Sequence, residues 1–526
     1  MSIVSFQFLL FATIITGIYF VLPKKWQWCA ILGGNIVFYA YAGINYAVLV
    51  FLMSFVSYIV ALNLEKIKKF SELTMPTVDR ERRTEARKVM TSIKQFVCGV
   101  AIIGVAGVWV VLKYSNFFIE NFNAVISHIN AGWHVSKVSW VLPLGISFYT
   151  FHIIGYVVDV YRGKYPAEKN FAKYFTFVTY FPHVIQGPFS RFDSLGKSIL
   201  EKHSFSYDRL CEGCARILWG VFKKMIIADK LGVSVNMIFD GYQNYPGAYA
   251  IFAIFAYCIE LYADFSGYMD IVCGLSHIWG INLAENFRRP YMAKTIDEFW
   301  RRWHITLGAW FKDYVFYPVS MGKVGQKLGR KARKRWGAKM GKLVPGYFAL
   351  IFVWTATGLW HGANWTYLVW GYLNLFAIMS TMQLADTYAK IEEKLHINPE
   401  GLPWKTFCVI RTFILVCFFR FFSIQSSLHE ALSTLKHTFL HLQLYKVKSF
   451  ENLFVGMVPK DVHAVLFGAF LLILVDLLQE VEVWDKIKEK CPFLIRNMVY
   501  AALIFLLVLL TGGSTDLAGG FMYANF

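Results

Sequence analysis

The stretch QFVCGVAIIGVAGVWVVL (95–112) holds eighteen residues without one charge. A helix of that length spans about 27 Å, close to the hydrocarbon thickness of a bilayer. Similar apolar runs recur near 6–22, 27–42, 46–62 and 140–158, then at 346–357, 364–383, 405–422, 463–479 and 496–511. Each reads as helical, because hydrocarbon offers backbone N–H and C=O groups no partner outside their own segment. The composition agrees: of 526 residues, 56% are hydrophobic and only 17% charged. A soluble chain carries about 25% charged residues, and a single water-soluble core stops growing beyond roughly 300 residues. Soluble enzyme, disordered chain and disulfide scaffold are excluded. The prediction is an all-α polytopic membrane protein with about eleven transmembrane helices plus re-entrant or short amphipathic ones.

The net charge of +19 would suggest nucleic acid in a soluble protein, but its placement argues otherwise. Residues 63–94 carry nine Lys/Arg, from Lys66 to Lys94, and residues 321–342 carry nine more with no acid. Short basic loops between apolar spans mark the cytoplasmic face and can touch anionic lipid. On that reading the N-terminus, residues 113–139, residues 423–462 and the C-terminus lie outside. The first span is retained, since no basic n-region or cleavage site accompanies it. No nucleic-acid partner is expected. Several cysteines sit inside apolar spans (Cys98, Cys258, Cys273, Cys408, Cys417) and read as small buried hydrophobes. Cys211 and Cys214 form a lone C-x-x-C, too little for a zinc or redox site.

Residues 160–345 break the rhythm. FTFVTYFPHVIQGPFSRF (175–192), ILWGVFKKMIIADKLG (217–232) and ENFRRPYMAKTIDEFWRRWHITLGAWFKDY (285–314) are short apolar pieces interrupted by Gly, Pro and charge. None reads as a clean span. Polar, broken helices at membrane depth survive only when buried in protein or lining a watery cavity, so charges there are functional by default. One integral membrane domain over 1–526 is expected, with N-terminal spans to 160, a catalytic core over 161–383 and C-terminal spans from 384.

Two histidines stand out. His304 ends EFWRRWH (298–304), and His361 lies in TGLWHGANW (357–365) at the join of two apolar segments. A side chain with a pKa near 6.5 suits proton transfer at neutral pH. Gly362 would let a substrate approach the backbone closely. YADFSGYMD (262–270) places Asp264 and Asp270 between apolar helices. Asp264 reads either as a general acid/base or as a partner of Arg301 or Arg302, and Asp159 reads as a salt-bridged residue. No H-E-x-x-H spacing, phosphate-binding glycine loop or G-x-S-x-G occurs, so no metal is expected.

DFSGYMDI (264–271), ENFRRPYMAKTIDEFWRRWHITLGAWFKDYVFYP (285–318) and TGLWHGANWTYLVWG (357–371) together resemble the membrane-bound O-acyltransferase (MBOAT) family. LPLGISFYTFHIIGYVVDVYRG (142–163), FPHVIQGPFSR (181–191) and FFRFFSIQSSLHEALSTL (418–435) fit as well. The likeness covers about residues 1–450 and is strongest to the AlgI-like, polysaccharide O-acetylating branch. The resemblance implies a ring of helices around a thin central region pierced by a tunnel. It places the family's near-universal histidine on His361 and the second histidine of the bacterial branch on His304. Trp303, Arg301, Arg302, Asn286, Asp264, Trp360 and Asn364 are the candidate substrate contacts. The implied donor is cytoplasmic acetyl-CoA, with no permanently bound cofactor. The implied acceptor is a secreted or cell-surface polysaccharide, reached directly or through an extracytoplasmic acetyltransferase or synthase complex in the cell membrane. A DltB-like D-alanyl transfer to teichoic acid from a carrier protein, or a polymer or lipid transporter, are the alternatives.

Overall fold

The computed structural model describes residues 2–129, 132–140 and 142–511. It is 79% helical, and among the described residues the strand-like pairing is one isolated bridge between Phe287 and Trp303. Seven described helices are long and apolar enough to cross a membrane: Ile44–Thr77, Arg83–Ile126, Gly247–Ile278, Lys323–His361, Trp365–Lys394, Leu402–Ile424 and Pro459–Glu480. Phe6–Val21 and Met498–Leu507 are shorter apolar helices, and Gln27–Ala42 and Ile146–Arg162 add two more. This is a multi-pass, all-α membrane protein. The apolar window of Arg83–Ile126 is only 17% buried, with Phe96, Val100 and Ile103 facing outward. An uncovered apolar face of that kind suits lipid.

Three readings of the sequence need correction. Helix Arg83–Ile126 runs 44 residues, well past the apolar stretch that ends at 112. The basic segment 63–94 is mostly helix, with a connection confined to about residues 75–82. Residues 323–342 are helical too, broken at Gly337, where φ is 85°. The basic residues thus lie on continuing helices, whose long Lys and Arg stems can reach water beyond an apolar stretch. Finally, the middle does contain a clean span. YADFSGYMD lies inside the single helix Gly247–Ile278, whose apolar window is 72% buried, not between two helices.

The described residues divide into two compact units, those of 3–213 with 275–284 and those of 214–274 with 285–511. The first is pinned by polar contacts in an aromatic core. Asn35 Nδ2 donates to the Thr176 carbonyl at 3.1 Å, and Asn35 Oδ1 accepts from the Phe181 N–H at 2.9 Å. Asp159 pairs with Lys164 at 3.6 Å, the salt bridge its sequence context led one to expect.

In the second unit, Gly220 and Gly267 allow two helices to touch backbone to backbone. A Cβ on Gly220 would sit 2.5 Å from the Gly267 carbonyl oxygen, and one on Gly267 would sit 2.8 Å from that of Gly220. Beside this crossing Lys224 Nζ meets Asp264 at 2.7 Å and Asp229 at 2.8 Å, while Lys223 Nζ meets Asp270 at 2.6 Å. The two lysines open the π-helical turn Lys223–Ala228. A buried ion is costly unless it is paired in this way.

Candidate active site

The histidine motifs both belong to the second unit, and local rules explain how each is presented. Thr295 starts helix Ile296–Arg302 by accepting the Glu298 N–H at 3.1 Å, while the Glu298 carboxylate accepts the Lys294 N–H at 2.8 Å. The Thr295 cap, with Glu298 reaching back to the residue before it, fixes where the helix begins. Beyond the helix, residues 302–305 run antiparallel to residues 286–288. Arg288 N–H donates to the Arg302 carbonyl at 2.9 Å, and Ile305 N–H donates to the Asn286 carbonyl at 3.0 Å. His304 sits in the left-handed region, φ 47° and ψ 50°. That conformation costs a non-glycine residue about 1–3 kcal/mol and tends to occur at functional sites.

The ladder sets Asn286 beside His304. Asn286 Oδ1 accepts from the Thr306 N–H at 3.0 Å and from its hydroxyl at 2.7 Å, and lies 3.4 Å from His304 Nδ1. The amide NH2 turns the other way, toward Met269 Sδ at 3.4 Å. An Nδ1–H offered to Asn286 leaves the imidazole lone pair on Nε2. The Phe265 ring closes another side of His304, centroid to centroid 4.8 Å and edge-on.

His361 is the last residue of helix Lys323–His361. Its ring meets Trp360 at 4.9 Å and Trp370 at 4.9 Å, both edge to face, and stacks on Tyr367 at 6.2 Å. Trp360 also meets His304, at 5.7 Å. One indole therefore touches both imidazoles. His304 is 1% exposed and His361 3%, so both lie in a water-poor, aromatic surround.

The other candidates divide. Asn286, Trp303 and Trp360 are buried in this centre. Arg302 is a strut instead, held by Glu480 at 2.9 Å and Glu298 at 2.7 Å. The Arg301 side chain is 66% exposed and pairs with Asp297. Neither arginine meets Asp264, whose partner is Lys224, so the expected Asp264–arginine pair is not formed. Asn364 caps helix Trp365–Lys394 through the Thr366 N–H at 3.0 Å and donates to the Ser426 carbonyl. Gly362 leaves no gap for a substrate: a Cβ there would lie 2.3 Å from the Tyr367 ring, so that ring needs the space.

Sequence reasoning singled out neither Lys223, Lys224 nor Arg420. All three are basic residues inside apolar runs, and that was the available signal. Asp476, which accepts from the Tyr262 hydroxyl at 3.0 Å, carried the same signal.

Comparison with known proteins bears on this site. A family model described as "membrane-bound O-acyltransferase family" matches residues 165–332. The chain is 33% identical over 362 residues to the probable alginate O-acetylase AlgI of Azotobacter vinelandii, covering 69% of this chain and 64% of that protein. It is 28% identical over 409 residues to the peptidoglycan O-acetyltransferase of Helicobacter pylori, covering 73% and 68%. It is also 28% identical over 279 residues to the teichoic acid D-alanyltransferase of Bacillus subtilis, covering 52% and 67%. The chain spans 62–66% of the length of three such alginate O-acetylases, just under two thirds.

Proposed function

This chain belongs to the membrane-bound O-acyltransferase family, and from that premise we propose that it is an O-acetyltransferase serving a secreted or cell-surface polysaccharide. The observation that carries the reading is the buried pair His304 and His361, both in contact with Trp360. The donor is acetyl-CoA on the cytoplasmic side, drawn there by the Lys/Arg-rich segments. His361 serves as general base: it takes the proton of the acceptor hydroxyl as the oxygen attacks the thioester carbonyl. A positioned base of this kind contributes roughly 10²–10⁴-fold. His304, oriented by Asn286, positions the reacting groups. The acceptor is the polymer itself or a separate extracytoplasmic transferase that passes the group on.

Purified protein in detergent or nanodiscs, given acetyl-CoA and a polysaccharide acceptor, tests the donor. Acetyl transfer, or slow hydrolysis of acetyl-CoA without an acceptor, is the expected result. Transfer from a D-alanyl carrier protein with no response to acetyl-CoA moves the assignment to the D-alanylating branch, which the Bacillus relative represents.

A further inference from the structure

Arg420, on helix Leu402–Ile424, is 5% exposed. Its guanidinium lies over the Trp303 ring at 5.5 Å and over the Trp370 ring at 5.0 Å. Trp303 immediately precedes His304, and the Trp370 ring is 4.9 Å from that of His361. One aromatic neighbour thus links this cation to each histidine motif. Among the described residues no carboxylate pairs with Arg420, and no carbonyl or hydroxyl accepts from its N–H groups.

That sets it apart from the other buried cations of the unit. Lys223 and Lys224 are equally hidden, yet each has a carboxylate within 2.7 Å. A buried charge without a counter-ion is costly and calls for a reason. The indoles interact with the flat face of the guanidinium, whereas its five N–H donors radiate in its own plane. The donor edge is therefore available to an anionic oxygen. A permanent anion, such as a donor phosphate, would be better served by an exposed cation than by this one. The acyl carbonyl oxygen, by contrast, is neutral in donor and product and negative only in between. A cation with no resident counter-ion is preorganised for such a transient charge.

We propose that Arg420 is a catalytic residue that receives the oxyanion of the acyl-transfer step; this rests on the acyltransferase reading above. The acceptor oxygen forms a bond to the carbonyl carbon while its proton passes to His361. The C=O π electrons move onto oxygen, and that oxyanion is held by the Arg420 N–H edge. On collapse the π bond re-forms, the C–S bond breaks, and the leaving thiolate takes the proton back from His361.

The test is steady-state kinetics on Arg420→Met, Arg420→Lys and Arg420→Ala in the full-length protein, with whichever acyl donor the wild type turns over. Arg420→Met should lower kcat at least ~100-fold while KM stays within about threefold. Arg420→Lys keeps the charge without the planar fork and should fall in between. Methylguanidinium added to Arg420→Ala should restore part of the lost rate, which a merely structural brace would not allow. If Arg420→Met is poorly folded by size-exclusion profile and melting temperature, Arg420→Lys and the rescue decide. Folded Arg420→Met with kcat near wild type overturns the role, and so does a raised KM at unchanged kcat, which would mark a ground-state anion site. An active wild type with indifferent Arg420 variants refutes this inference alone. A wild type that turns over neither acetyl-CoA nor a D-alanyl carrier refutes the acyltransferase reading and this role together.

Discussion

His304 and Trp360 meet edge to face with ring centroids 5.7 Å apart, although fifty-five residues separate them in the chain. The same indole abuts His361. This contact joins two motifs that the sequence presents as separate, and the predictions below probe what it organises.

If His361 is the general base, His361→Gln should be as inactive as His361→Ala, because neither side chain can take the proton. Both variants should insert and purify like wild type. Activity must be scored beside folded yield, since lost abundance imitates lost catalysis. Substantial transfer by well-folded His361→Gln would remove this residue from the mechanism.

Asn286 is the orienting partner of His304. Asn286→Leu leaves the Thr306 N–H and hydroxyl without their acceptor, which should cost about 1–3 kcal/mol. It should also lower kcat, since His304 loses its Nδ1 neighbour. Thr306→Val removes one of the two donors and should be milder in both respects. Thermal melts in detergent run beside kinetics check the ranking.

The Lys224–Asp264 pair offers a stability prediction with a clear sign. Lys224→Met alone removes the cation shared by buried Asp264 and half-buried Asp229 and should destabilise by about 3–5 kcal/mol. Lys224→Met with Asp264→Leu should recover part of that loss, because fewer charges remain unpaired. A double variant no more stable than the single one would show that this pair is not an energetic unit. Melting temperatures of the set decide it.

Orientation is testable by cysteine labelling in intact cells. Single cysteines placed in 63–94 and 321–342 should react only after the membrane is permeabilised, and those in 423–462 should react from outside. Labelling of 321–342 from outside would invert the topology and separate the basic segments from the donor side.

Much of the architecture was legible in the chain. Hydropathy is a local property, set by which solvent each segment prefers, so QFVCGVAIIGVAGVWVVL declares a span with no knowledge of its neighbours. The two histidine motifs were legible for a related reason: polar groups in apolar sequence must be buried against something. The same rule misled at Gly247–Ile278, where Glu260, Asp264 and Asp270 interrupt the apolar run. There the helix continues because Lys223, Lys224 and Arg216 neutralise two of those carboxylates from another element.

What only the tertiary structure decided was the pairing. Asp264 could have met any of several cations by charge alone, and it meets Lys224, forty positions away. Arg302, one of the two expected partners, is taken by Glu480, 178 positions away. Opposite charges attract without regard to sequence distance. The choice among electrostatically equivalent partners therefore falls to which helices cross, and how closely, as where Gly220 and Gly267 let two backbones touch. The placement of Arg420 against Trp303 and Trp370 is of the same kind: its charge and its apolar flanks are local, but its neighbours come from two other parts of the chain, the extended residue after helix Ile296–Arg302 and helix Trp365–Lys394.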